Sequence, residues 1–161
     1  DKKIDIALVE NYVSNDDIIY REWMEDEIVI FSNQRLPQKA KAEDLLSYKW
    51  VCRNPESNTR LIFKENLEKA NFPDCDTFNV TSEVTSATTI VQTVLHSDKN
   101  ATPTVSIVSR NAIESLLKSE ALFESRIGNQ KMLRKLYIAY RKDRKHDAFI
   151  ENVVDYLLKI K

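Results

Sequence analysis

At 161 residues the chain has room for one domain or two small lobes around a real core, and 42% hydrophobic with 30% charged residues is a globular balance. Twenty-four Lys and Arg against 25 Asp and Glu leave no field of one sign, which argues against bulk nucleic-acid binding. No apolar run nears the roughly 20 residues that span a bilayer, and the start DKKIDIALVE lacks a signal-peptide layout, so a cytoplasmic protein without a membrane partner is expected.

Residues 4–9 (IDIALV) predict a buried strand, followed by two strand-like segments at 18–23 and 27–31. After Pro37 a short helix is expected at 42–46 and a strand at 49–52 (KWVC). The loop RNPESN leads into a helix over 59–70, with Phe63, Leu67 and Ala70 on one face and Ser57 or Asn58 as N-cap. Residues 76–80 read as a strand. Residues 85–95 place Ala87, Ile90, Val91, Val94 and Leu95 at helical spacing, which outweighs the strand propensity of so many Thr and Val. A buried strand at 104–108, a helix at 111–118 and a strand at 133–140 follow. The chain closes on Ile150, Val153, Val154, Leu157 and Leu158, the stripe of an amphipathic helix behind an Asp147 cap. Strands alternating with helices predict an α/β architecture with mainly parallel sheets.

The single glycine, Gly128, excludes glycine-rich nucleotide loops, which need glycine to bring backbone against phosphate. Cys52 and Cys75 have no partner at zinc-like spacing, and His96 and His146 lack a helical i+4 partner, so neither a metal site nor a cofactor is expected. The basic run RKDRKH at 141–146 is interrupted by Asp143 and has no interleaved aromatics, so it reads as a solvated turn.

Residues 4–10 (IDIALVE), Asp44-Leu45 with Trp50-Val51, RNPESNTR at 53–60, and Glu83, Ser86, Thr89-Ile90 and Val94, in this order and spacing, together resemble the C-terminal effector domain of LysR-type bacterial transcription regulators over essentially the whole length. Residues 4–10 (IDIALVE) are similar to that family's "lDiALve" strand, and Asp44-Leu45 followed by Trp50-Val51 resembles its "dL…pWv" element. RNPESNTR at 53–60 resembles the "re.gSgTR" loop and helix start, while Glu83, Ser86, Thr89-Ile90 and Val94 fall at the spacing of the "e..s..ai…V" helix. The resemblance implies a two-lobed, type 2 periplasmic-binding-protein-like fold with a small molecule held between the lobes. Residues 1–25 and 135–161 would form part of the first lobe, and residues 26–134 a complete second lobe. It further implies a homo-oligomer, dimer or tetramer, that meets DNA only through a winged helix-turn-helix with no counterpart in this chain. Two departures stand out: the family's Gly-x-Gly turn is replaced by HSDKNATPT, and the loop at Ser57 lacks glycines, a role Asn58 is suited to fill in a left-handed conformation.

Helix starts expose backbone N–H groups and a partial positive charge, and in open α/β sheets they gather at strand ends where ligands bind. The candidate effector site is therefore Ser57, Asn58, Thr59, Thr85 and Ser86, with Arg53 and Arg60 as possible anion partners. Each hydroxyl residue is equally suited to be an ordinary N-cap. Two rival functions use the same fold: a dehydratase-like enzyme, and an exported solute receptor. The enzyme needs an acid or base beside the reacting group, and only Glu56 and Glu83 lie near these loops, so no catalytic residue is assigned.

Overall fold

A computed structural model describes residues 5–10, 15–144 and 146–160. In chain order the elements are β1 (Ile6–Val9), β2 (Ile18–Ser32), β3 (Lys39–Ala40), α1 (Ala42–Ser47), β4 (Lys49–Arg53), α2 (Asn58–Lys69), β5 (Asn79–Val84), α3 (Ala87–Leu95), β6 (Thr104–Ser109), α4 (Glu114–Lys118), β7 (Phe123–Ile127), β8 (Met132–Arg141) and α5 (Ala148–Lys159). The chain divides into two compact units, Asp1–Asp26 with Arg134–Lys161, and Glu27–Leu133. Ile4 and the whole of residues 11–14 ahead of β2 lie outside the described residues.

The larger unit is built on a sheet buried from both sides. In β2, Ile28 and Ile30 face one core with Trp50, Phe63 and Leu67, while Val29 and Phe31 face another with Val51, Ile90 and Val94. Four consecutive apolar residues are what a strand covered on both faces requires. Helix α2 covers the first face through Phe63 and Leu67, and α3 covers the second through Ile90 and Val94. Trp50, fully buried, stacks on Phe78 at 4.9 Å, lies 5.3 Å from Phe63, and donates its indole N–H to the Leu45 carbonyl at 2.8 Å.

In the smaller unit β1 pairs antiparallel with β8, Ile6 opposite Tyr140. Helix α5 packs Ile150 and Val154 onto Ile138, Ile6 and Trp23, and the Trp23 indole donates to the Leu157 carbonyl at 2.8 Å. Asp147 caps α5 by accepting from the N–H groups of Phe149 and Ile150, as its position ahead of the stripe predicts. The basic run before it is an ion-paired turn: Arg141 bonds Asp143, and Arg144 meets Asp5 at 2.5 Å and Asp147 at 3.1 Å.

Several expectations need correction. The segments at 18–23 and 27–31 are one continuous strand, because the acids that interrupt the apolar pattern are accommodated in it. Asp26 is buried at 3% exposure and faces Arg134 at 3.1 Å. The strand expected at 76–80 lies instead at Asn79–Val84. Asp74 accepts from the Asp76 N–H and folds Cys75–Thr77 into a 3-10 turn. The helix at 111–118 begins as a 3-10 turn over Arg110–Ile113. The pairing is mixed rather than mainly parallel: β4 runs parallel to β5 and β6, and β3 to β7, but β2 is antiparallel to β6 and β7. Asn58 is the first helical residue of α2. The left-handed asparagine is Asn71, at φ 58° just past the end of that helix.

Strand β7 is joined to β2 by a side-chain clamp in which Arg126 donates to both carboxylate oxygens of Glu27, at 2.6 and 2.9 Å. That hydrogen bond is the main reason the Glu27 carboxyl titrates below its ordinary range. A carboxyl whose folded pKa is depressed contributes stability above its unfolded value of about 4.3 and loses it as pH falls through the folded pKa. Urea midpoints measured from pH 7 down to pH 2.5 are expected to fall less steeply below pH ~4.5 in Glu27→Gln than in the unmodified chain. Parallel curves would show that the clamp carries no such linkage.

Candidate functional site

Because β4 and β5 are parallel and adjacent, with Arg53 opposite Val84, their carboxyl ends emerge side by side. Helix α2 starts from the first and α3 from the second. The Asn54 N–H donates to the Val84 carbonyl at 3.2 Å, tying the two loops together by backbone. Both helix starts expected from sequence thus share one rim of the larger unit.

The serines do serve as caps. Ser57 Oγ accepts from the Arg60 N–H at 3.2 Å, and Ser86 Oγ accepts from the Thr89 N–H at 3.4 Å. Accepting an N–H leaves each hydroxyl proton available to donate outward, so capping and ligand binding are compatible. Ser57 and Thr59 are buried, Asn58 is half-buried, and Thr85 and Ser86 are exposed.

The two arginines differ. Arg60 is committed to the fold: it donates to the Arg53 carbonyl at 2.8 Å and meets Glu83 at 3.3 Å and Asp76 at 3.7 Å. Arg53, at the end of β4, has a buried Nε–H without an acceptor among the described residues. A buried donor left unmatched costs free energy, so its place beside two helix starts carries information about what binds there. Sequence reasoning names Arg53 only as a possible partner, since the burial of its Nε follows from strand register and not from local pattern.

The acids near the rim are held in other interactions. Glu56 accepts from Asn54 at 2.8 Å, which lowers its pKa, and Glu83 pairs with Arg60. Burial pushes the Cys52 thiol up to about 11 and raises Cys75 as well, so neither is a ready nucleophile. Asp74, Cys75 and Asp76 cluster their ligand atoms within 4.8 Å, but Lys64 stands 3.8 and 3.7 Å from the two carboxylates and Arg60 also meets Asp76. That acidic group is neutralised by protein cations.

Residues 1–160 match the family described as LysR substrate binding domain. The chain belongs to that family. As a LysR substrate-binding domain it has the periplasmic-binding-protein-like α/β fold. It is 25% identical over 159 residues to the uncharacterized HTH-type transcriptional regulator YeiE of Escherichia coli K12, covering 97% of this chain and 51% of the relative. The LysR domain chain thus spans about half the length of the curated relatives it matches. Its fold is similar to the regulatory domain of CcmR from Synechocystis PCC6803 in complex with 2-PG, with a TM-score of 0.76, 17% identity, and coverage of 99% of this chain and 74% of that one. It is also similar to the effector binding domain of QuiR in complex with shikimate, at a TM-score of 0.71, 20% identity, and coverage of 98% and 72%. Among the described residues no helix is long and apolar enough to cross a membrane.

Proposed function

We propose that this LysR domain senses a small anionic effector bound at the rim formed by Ser57, Asn58, Thr59, Thr85 and Ser86, with the Arg53 side chain as the charged hook. The observation that carries the reading is the buried, unmatched Arg53 Nε–H beside two helix starts that a backbone bond holds together. Helix N-termini attract anions, hydroxyls orient them, and a guanidinium supplies a charge-assisted bond. The rim offers charge and shape recognition without an assigned catalytic residue, in keeping with a family of transcriptional regulators rather than enzymes. We place the 26–134 region as the complete lobe that carries this half of the site. In the whole protein, a cytoplasmic dimer or tetramer, effector binding changes the arrangement of an oligomer on DNA, which requires that the effector favour one arrangement over another.

Titration calorimetry with sulfate, inorganic phosphate and shikimate tests the site. At least one is expected to give saturable heat, and Arg53→Gln to weaken it by about 1.5–3 kcal/mol, roughly 10- to 150-fold. Thr59→Ala and Ser86→Ala are each expected to cost about 1–3 kcal/mol of affinity. Unchanged affinity in all three variants at unchanged melting temperature would show that these residues serve the fold and not the effector site.

A further inference from the structure

A groove of about 820 Å³ runs along β7 of the larger unit and shares no lining residue with the effector rim. Six cations line it, Arg35, Lys39, Arg110, Lys118, Arg126 and Lys131, against two acids, Glu120 and Glu124. The whole chain carries a formal charge of −1, yet a quarter of its 24 Lys and Arg gather around this one concavity with 2 of its 25 acids. Like charges held this close repel unless offset.

Protein carboxylates offset only part of the charge. Arg126 is clamped by Glu27, Arg110 meets Glu124 at 2.8 Å, Arg35 meets Glu120 at 3.5 Å, and Lys118 meets Glu114 at 3.3 Å. Lys39 and Lys131, both exposed, have no ion pair among the described residues. The parallel register sets Lys39 opposite Arg126, an unfavourable like-charge pairing across strands. Leu36, Leu117 and Leu122 give the groove apolar wall, and the Arg35 guanidinium lies over the Phe123 ring at 4.9 Å.

We propose that this groove is a second ligand site of the domain, taking a compact polyanion, a phosphorylated or polycarboxylate small molecule held chiefly by Lys39 and Lys131. Its volume is that of a small-molecule site. A single-stranded nucleic acid is a poorer fit, because the cations converge on one concavity and Arg35 already covers the one aromatic ring that could stack a base.

The test is an amide NMR titration of the full chain with pyrophosphate and, separately, citrate, each at matched ionic strength. Shifts are expected to saturate and to centre on residues 35–39, 110 and 123–131, the two probes distinguishing a phosphate from a carboxylate preference. Lys39→Ala with Lys131→Ala, both exposed positions, is expected to weaken binding at least tenfold, and Lys39→Glu with Lys131→Glu to abolish it. Arg53→Gln is expected to leave it unchanged, which separates this site from the effector rim. The proposal is overturned if the shifts do not saturate, if they centre on residues 53–60 and 83–86, or if the paired lysine variants bind as before.

Discussion

Trp50→Ala is expected to destabilise the larger unit by about 3–5 kcal/mol, read as a shift of the urea midpoint followed by far-ultraviolet circular dichroism. The side chain is fully buried, stacks on Phe78, meets Phe63 at a tilt, and closes the end of α1 by its bond to the Leu45 carbonyl. Truncation removes the transfer free energy of an indole and leaves a cavity that two aromatic neighbours cannot collapse into without leaving their own rotamers. Trp50→Phe keeps an aromatic ring but forfeits the hydrogen bond, so a smaller loss of about 1–2 kcal/mol is expected from the unmatched Leu45 acceptor. A cost below about 1.5 kcal/mol for Trp50→Ala would mean that the aromatic cluster is not the centre of this core.

Arg134→Met is the second large effect. Arg134 donates to Asp26 through Nε at 3.2 Å, its terminal nitrogens lie 3.1 Å from Asp26 and 3.2 Å from Glu10, and its side chain is only 10% exposed. Methionine retains the apolar stem while stripping a buried carboxylate of its guanidinium, a change that typically costs about 3–5 kcal/mol. The pair Asp26→Asn with Arg134→Met is expected to recover much of that loss, because removing both charges also removes the desolvation that each suffered. Calorimetric melting of the two single variants and the pair supplies the cycle. Additive losses would show that the two side chains do not act on each other.

What was legible from sequence follows how locally each feature is determined. The run 28–31 announces a buried strand because four adjacent apolar side chains need cover on both faces, and 105–108 does so through Val105, Ile107 and Val108 around a buried Ser106. The α5 stripe and the caps at Ser57, Ser86 and Asp147 are set within four residues of chain. Strand β2 reads from sequence as two pieces because Asp26 is accommodated in it only through Arg134, which lies 108 residues away. Strand β5 was displaced because it pairs with β4 and is exposed over most of its length, so NVTSEV carries little alternation, and the Asp74 turn consumes residues assigned to it. At the candidate site the helix starts were readable from their hydroxyl residues and from resemblance. Their joining by Asn54 and Val84, and the burial of the Arg53 Nε, depend on strand register. The β7 groove left no sequence signal at all, since its cations are scattered between positions 35 and 131.

The chain holds two tryptophans, and the fold gives one to each unit: Trp23 to the smaller and Trp50 to the larger. Intrinsic emission therefore has two separable sources. Trp23→Phe leaves a single tryptophan, inside the larger unit and three residues along β4 from Arg53, and Trp50→Phe leaves one whose indole N–H is tied to the last helix of the smaller unit. With excitation that selects tryptophan over the six tyrosines, quenching and wavelength shifts in these two single-tryptophan proteins report unfolding, or the arrival of an effector, for one unit at a time without an added label.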